Sequence, residues 1–454
     1  MEAFFDKVAE VNGAVNGVVW GKYGLILLIG TGNIAGVAAA ICIGGGGAGF
    51  WMWVAAFFGM MTNYSENVLG IYFRRRNIKG EWSGGAMYYL RDGLGSKKGC
   101  KVIGKVLAFL FCIFTMLASF GIGSMGQVNK IVANVANAFD VQALSSVEVF
   151  GGVSLYNLIL GVAIMILVAL ITLGGLNRIA NVAEKIVPFM IVLFIAGSLV
   201  IIGVNYDMII PAFKSIFVNA FKPEAFVGGT LGAAISAAVT QGFKRGVFSN
   251  EAGLGSSVMV HSNSNVKEPV KQGMWGIFEV FADTMVVCTM TALVVLTSGV
   301  FDAKTGAIAE GLTDATLVAG AFNSVFSWGN IGQKFVAIAM FLFAFTTVLG
   351  WSHYGSKAWE YLFGAKTTVI FKIIHVITVI FGAVMTSTLA WDISDTFNGL
   401  MMIPNLIGVV VLFPLVMKIT KNYVNRKVKN IKETPVLSYD SKIQAEAQAE
   451  IENE

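Results

Sequence analysis

Asp283 lies in the middle of an apolar run, 272–298, with Glu279 one turn before it. An ionisable side chain at bilayer depth costs roughly 2.5–3.5 kcal/mol on insertion scales, so its default reading is functional. Asp283 suits holding a cation or titrating; a structural hydrogen-bond anchor is the alternative. Two glycine clusters interrupt other apolar runs. One is Gly30-Thr31-Gly32-Asn33-Ile34-Ala35-Gly36. The other is Gln241-Gly242-Phe243-Lys244-Arg245-Gly246, followed by Phe248-Ser249-Asn250-Glu251-Ala252-Gly253-Leu254-Gly255. Such clusters unwind helices, and irregular backbone in mid-membrane is tolerated only where it lines a cavity or is buried in protein. Close packing of small residues is the competing explanation.

An unwound helix offers free N–H groups at one broken end and carbonyls at the other, which suits a carboxylate and a cation respectively. An amino acid zwitterion needs both. Thr31, Gly32 and Gly36 are expected to present backbone groups to the carboxylate, and Asn33 to serve the cation or the zwitterion. Gln241, Gly242 and Phe243 are expected to form the opposite wall, with Phe243 limiting side-chain size. Thr347 and Trp351, four apart on one helix face with Thr346 beside them, are expected to face the substrate; threonine bonding back to its own helix is the alternative. Lys244 and Arg245 read as cytoplasmic-end charges or gate partners. Glu66, Asp392 and Asp395 are weaker candidates near the membrane faces. These walls hold no strong charge for a charged substrate side chain, which favours a small neutral amino acid.

The elements that carry these residues are set by composition. Of 454 residues, 56% are hydrophobic and 13% charged, against about 25% charged in soluble domains. Mean hydropathy is +0.72. Runs of about 20 apolar residues without period-2 alternation predict transmembrane helices rather than a barrel. Ten spans are expected: 14–43 (interrupted), 48–72, 102–130, 154–174, 188–205, 226–248 (interrupted), 272–298, 333–356, 366–386 and 389–417. Pro404 allows the last to be two pieces. Basic residues gather after each even-numbered span, from Arg74-Arg75-Arg76 to Lys418–Lys432, so both termini are expected in the cytoplasm. Breaks in spans one and six of ten predict two inverted five-helix repeats, about 14–205 and 226–417, with a site at the bilayer midplane. Residues 1–429 then form one transport domain, and 430–454 a mobile cytoplasmic tail.

Other chemistries find no support. Nucleophilic triads, P-loops and zinc spacings are missing, so an enzyme and ATP-driven transport are not expected. His261, His353 and His375 are scattered, and Cys42, Cys100, Cys112 and Cys288 show no paired spacing. The net charge of +5 reflects topology, and nothing suggests nucleic acid.

Long, ordered motifs carry a resemblance from about residue 30 to 420. GTGNIAGVA (30–38), FWMWVAAFFGMMTNYSE (50–66), SGGAMYYL (83–90), ASFGIGSMGQ (118–127), QGFKRGVFSNEAGLGSS (241–257), FADT (281–284), LFAFTTVLGWSHYGSKAWEYLFG (342–364) and NGLMMIPNLI (398–407) resemble the alanine or glycine:cation symporter family, sodium:alanine symporter type. That family lies in the amino acid–polyamine–organocation superfamily. The resemblance implies an all-α LeuT-like fold in the cell membrane that imports alanine or glycine by alternating access, with Na⁺ or H⁺ as coupling ion and no other cofactor. It implies a cation site drawn from Ile29, Asn33, Asp283, Thr346 and Thr347. Asn33 resembles the asparagine that ligates sodium in LeuT-like carriers, and the adjacent threonines resemble a second sodium site.

There are departures. WGKYGLILLIG (20–30) runs straight into TGNIAGVA, with several dozen residues fewer than family members carry there. GGGG stands at 44–47 and Ala86 stands where prolines are usual, and VMVHSNS (258–264) where small residues are expected. A non-functional or N-terminally altered member, and a channel, are the alternatives.

Overall fold

The computed structural model describes residues 31–149, 153–221, 231–302, 305, 307–312 and 316–452. Ile29 and the rest of 14–30 lie outside the described residues, as do Lys222, Glu224, Lys304 and Asp314. The described chain is helical apart from one small hairpin, Arg75–Arg76 paired with Trp82–Ser83, and two isolated bridges.

A 3₁₀ turn, Thr31–Asn33, opens α1 (Ala35–Gly44), and α2 (Gly47–Phe73) returns alongside. A short helical segment, Ala86–Gly93, precedes α3 (Lys101–Ala138), which contains a π-helical turn at Gly121–Gly126. Next come α4 (Leu155–Thr172), α5 (Leu176–Val204), α6 (Ile209–Phe221) and α7 (Leu231–Asn250). A single turn, Val258–His261, leads to α8 (Pro269–Thr297), with a π-helical stretch at Phe281–Cys288. The rest are α9 (Leu317–Val325), α10 (Ile331–Phe363), α11 (Thr368–Val384), α12 (Ser387–Lys427) and α13 (Ser441–Glu452).

Six of these, α3, α4, α5, α8, α10 with the turn before it, and α12, are long and apolar enough to cross a membrane. α2 and α7 have the length, 27 and 20 residues, but are less apolar, and α11 and Thr31–Gly44 are apolar but shorter. α12 runs unbroken for 41 residues through Pro404 and Pro414. α5 starts twelve residues before the expected 188. Arg178, read as part of a loop, instead rides its first turn and donates to the Leu170 carbonyl at the end of α4 (2.7 Å). Two short helices, α6 and α9, occupy stretches read as plain connections.

The glycines at 44–47 let four helices meet, α1 on α7 and α2 on α6. A Cβ on Gly44 would sit 3.0 Å from the Ala238 Cα of α7, and one on Gly47 2.3 Å from the Asn219 backbone of α6. Gly45 turns the chain with φ +68°, a conformation costly for other residues.

The expected interruption of span six is displaced. α7 continues through 241–246, because Gly242 and Gly246 form a close-packed seam on α2. A Cβ on Gly242 would meet Trp51 Cβ at 2.4 Å, and one on Gly246 would meet Ala55 Cβ at 3.2 Å. This is small-residue helix packing. The chain unwinds instead after Asn250, where Glu251, Gly253 and Gly255 take φ values of +56°, +91° and +72°. α7 runs beside the first half of α2, and the break lies against its middle, with Ala252 Cβ 3.1 Å from the Cβ position of Gly59.

Basic segments gather at one end of the bundle. Arg74 donates to the carbonyls of Ser262, Ser264 and Val266, and Arg426 forms a bidentate pair with Glu268 (2.8 and 2.7 Å). Residues 430–452, expected as a mobile tail without an apolar stripe, take a defined course against this basic face. The Tyr439 amide donates to the Tyr72 carbonyl (2.9 Å), its ring lies on Phe73, and Lys267 pairs with Glu450 (3.1 Å). Leu437 and Ile443 supply the buried contacts.

Candidate functional site

Three elements that break regular helix meet at one level. The Thr31–Asn33 turn lies at the start of α1, Ser249 and Asn250 close α7, and the π-helical stretch 281–288 widens α8. π-helical turns recur at functional sites because the extra residue re-aims side chains and loosens the backbone ladder.

The carboxyl of Asp283, 1% exposed, gathers three donors. Asn33 Nδ2 reaches Oδ1 at 2.6 Å, while Ser249 Oγ and Thr284 Oγ1 each reach Oδ2 at 2.8 Å. Asn250 Nδ2 donates to Thr284 Oγ1 (3.0 Å), and Cys288 Sγ lies 3.5 Å from Asn33 Nδ2 and 3.3 Å from Ser249 Oγ. A carboxylate with two hydroxyls and an amide is a hard-oxygen set. The hydroxyls that here donate to the carboxylate can turn their lone pairs to a cation. Asn33 and Asp283 of the sequence-derived cation set are thus brought together. Ile29 lies outside the described residues.

Thr346 and Thr347 hold other partners. Thr346 Oγ1 donates to the Leu342 and Phe343 carbonyls, and Thr347 Oγ1 to the Phe343 carbonyl at 2.9 Å. Both therefore bond back to their own helix, the alternative raised for them above.

Thr31 Oγ1 donates to Gln127 Oε1 at 2.7 Å, and Gln127 Nε2 is anchored on the Ile122 carbonyl within the π-helical turn of α3 (2.9 Å). Gly32 is pressed onto α7, where a Cβ would lie 2.6 Å from Ser249 Cα. Gly36 has more room, its Cβ position being 3.9 Å from the ring of Phe248. Gly32→Ala is therefore expected to lower stability by about 1–3 kcal/mol, seen as a fall in Tm in detergent. Gly36→Ala should leave Tm unchanged.

The opposite wall differs from the expectation. Phe243 points to Trp51 of α2 (ring centroids 6.3 Å), and Gly242 faces α2, so neither adjoins the Thr31–Asn33 turn. Phe248, five residues on, covers that turn, with Cδ1 3.1 Å from the Cβ position of Gly32. Gln241 is half-buried on the Phe248 side of α7, seven residues before it, and its Oε1 lacks a hydrogen-bond partner among the described residues. Trp351 is buried on Gly123, and its indole donates to Glu251 Oε1 at 3.0 Å in the span-six break. Ser256 Oγ holds the other Glu251 oxygen (2.6 Å).

Lys244 and Arg245 stand away from the basic face. Arg245 binds Asp395 of α12 through two 3.0 Å hydrogen bonds and stacks over Trp391 (3.9 Å), which also meets Phe248 (5.0 Å). Lys244 approaches the same carboxylate at 3.5 Å. The displaced break explains the difference, since it leaves these residues in the half of span six remote from the basic face. Asp395 thus belongs to this cluster.

Gln127, Phe248, Ser249, Glu251 and Thr284 were not singled out from sequence. Each lies in a motif quoted above; for Gln127, Ser249, Glu251 and Thr284 the available signal was a polar side chain inside an apolar span, and Phe248 carried none. Among the described residues no group of three or more His, Cys, Asp or Glu is placed to hold a metal ion.

A family model described as the sodium:alanine symporter family matches residues 24–438. The chain is 42% identical over 399 residues to the sodium/alanine symporter AgcS of Methanococcus maripaludis, covering 88% of this chain and 82% of that protein. It is 34% identical over 401 residues to the probable sodium/glutamine symporter GlnT of Bacillus subtilis, covering 88% and 76%. In fold it is similar to the crystal structure of a manganese transporter of Eremococcus coleocola. The TM-score is 0.53 at 12% identity, covering 95% of this chain and 83% of that one.

Proposed function

The chain belongs to the sodium:alanine symporter family, and we propose that it imports a small neutral amino acid, alanine or glycine, with Na⁺ by alternating access. The observation that carries this reading is the meeting of α1's first turn with α7's last turn beside Asp283. The start of α1 offers N–H groups and a positive dipole end to a substrate carboxylate, while α7's final carbonyls and Asp283 serve the cation. Thr31, Gly32, Asn33 and Gly36 contact the substrate, with Phe248 rather than Phe243 as the apolar lid. Asn33 and Asp283, with Ser249 and Thr284, hold the cation.

The ten-span, LeuT-like arrangement of two inverted repeats is part of the same proposal. It draws support from the 3₁₀ turn that opens α1 at 31–33, from the break at 251–257, and from the fold likeness to a transporter. Loop charge supports a cytoplasmic position for the basic face and the C-terminus. Arg245, Asp395, Trp391 and Phe248 then form a gate, closed here on the external side of the site.

Radiolabelled alanine uptake into liposomes with an inward Na⁺ gradient, a pH gradient or neither tests this reading. Uptake is expected to need the Na⁺ gradient. Asn33→Ala removes a charge-assisted bond of about 1.5–3 kcal/mol and should weaken uptake ~10–100-fold. Uptake indifferent to both gradients would exclude cation coupling.

A further inference from the structure

The segment that replaces helix at 251–257 is clamped from three sides by a group outside the site above. Asn405 follows Pro404 on α12 and is fully buried. Its Nδ2 donates both to the Gly253 carbonyl (2.8 Å) and to Glu66 Oε1 of α2, and its Oδ1 accepts from the Tyr89 hydroxyl. The orientation of the amide is not free, because the Gly253 carbonyl can only accept. Gly255 closes on the same amide, where a Cβ would lie 2.7 Å from Asn405 Oδ1.

Glu66, expected from its sequence position near a membrane face, is enclosed by the protein. It is 0% exposed and its second oxygen, Oε2, is buried without a hydrogen-bond partner among the described residues. Among those residues it forms no ion pair with Lys, Arg or His. The titratable groups that face it are Glu251, across the break, and Tyr89. Neither brings positive charge. An ionised carboxylate buried with a second acid and no cation carries a desolvation cost of several kcal/mol. The Gly253 and Gly255 backbone groups and the Asn405 amide also face the carboxyl, but none of them carries positive charge, so burial favours neutralising it by a proton or by a bound cation.

The geometry favours the proton. A sodium ion needs several oxygen ligands, yet Asn405 Nδ2 sits between Glu66 Oε1 and the Gly253 carbonyl as a donor to both, and Asn405 Oδ1 is taken by Tyr89. Only Oε2 is left, which suffices for one proton and not for a metal ion.

We propose that Glu66 is a proton-binding site of this carrier, occupied while the 251–257 segment packs on α2 and released when that segment withdraws. Protonation removes the charge that would otherwise draw water to the clamp. Withdrawal exposes the carboxyl toward the basic face, two turns away at Phe73, where water accepts the proton. One proton is bound or released per transition, with no other bond made or broken. This refines the transport reading, naming where a proton acts, and rests on it only for the consequence in uptake.

Infrared difference spectra of the full chain in lipid nanodiscs, recorded against Glu66→Gln as pH is raised, test protonation without requiring transport. The wild type is expected to show the carbonyl stretch of a neutral carboxylic acid at neutral pH, absent from Glu66→Gln and lost at alkaline pH. A difference spectrum holding only ionised carboxylate bands at neutral pH overturns the proposal. Loss of the acid band on adding Na⁺ at constant pH also overturns it, assigning the site to sodium. Should Glu66→Gln fail to fold, Glu66→Asp serves, expected to shift the acid band because the shorter side chain changes its hydrogen bonding; an unshifted band refutes the assignment. In liposomes at fixed Na⁺ gradient, Glu66→Gln is expected to flatten the pH dependence of alanine uptake, and an unchanged pH profile overturns the coupling. If the wild type takes up no amino acid, the transport reading fails while the spectra still decide the state of Glu66.

Discussion

Asp283→Asn is expected to leave a folded protein that no longer couples uptake to sodium. The substitution is nearly isosteric. Asn33 can still donate to the side-chain oxygen, and the Ser249 and Thr284 hydroxyls can rotate to accept from the new amide, so the contacts between α1, α7 and α8 survive. What disappears is the one negative charge in a buried set of oxygens. An ion pair lost from a buried site costs about 3–5 kcal/mol, and about 3 kcal/mol corresponds to ~100-fold in apparent Na⁺ affinity. Sodium titrations of alanine uptake, with Tm as the folding control, measure this directly. Asp283→Asn with the sodium dependence of the wild type would reduce Asp283 to a hydrogen-bond anchor. Thr346→Ala and Thr347→Ala offer an internal contrast, because both hydroxyls already bond their own helix.

Breaking the Arg245–Asp395 pair is expected to shift the balance between closed and open states on the external side. Arg245 is buried and doubly bonded to Asp395 while its guanidinium lies on Trp391. The carboxylate keeps some exposure, 20%, so Arg245→Ala should cost less than a fully buried pair. A loss of about 2 kcal/mol is a ~30-fold change in the population of the closed state. The chain carries its own reporter. Cys288 lies buried beside Asn33 and Ser249, behind Phe248 and the Arg245 cluster. With Cys42, Cys100 and Cys112 replaced, Cys288 should react roughly ten-fold or more faster with a membrane-impermeant thiol reagent in Arg245→Ala or Asp395→Asn, and accumulation of alanine should fall. The exchanged pair Arg245→Asp/Asp395→Arg should recover part of both. Unchanged Cys288 reactivity in both single variants would leave the cluster a structural clamp and remove the gate.

Composition and local pattern alone determined the helical membrane class, the positions of the six long apolar helices and the presence of a buried acid, Asp283, inside one of them. Each rests on properties of a short segment: about 20 apolar residues satisfy a bilayer, and an acid inside such a run is costly wherever its partner lies. Of the glycine cluster at 30–36, the described residues form a 3₁₀ turn, Thr31–Asn33, that leads into α1, and the half of span one before it lies outside them. At 241–255 the local signal was ambiguous. Glycine lets a helix unwind and also lets two helices touch, and nothing within 241–246 distinguishes these. Tertiary packing decided it, because α2 presents Ala48, Trp51 and Ala55 to that face, so Gly242 and Gly246 became a seam. Unwinding passed to Glu251–Ser257, where Asn405 donates to the Gly253 carbonyl, Asn250 Oδ1 accepts from the Ala252 amide, and Trp351 and Ser256 hold the Glu251 carboxyl.

Several assignments followed from that displacement. Arg245 moved to the half of span six remote from the basic face, Phe248 replaced Phe243 over the Thr31–Asn33 turn, and Glu66 became part of the clamp. These pairings join residues up to 339 positions apart in the chain. A carboxyl's burial and partners depend on such distant neighbours, so the sequence by itself could name the acids of this protein, while only the folded chain decided that Asp283 meets three donors, Asp395 an arginine, and Glu66 an amide on one oxygen alone.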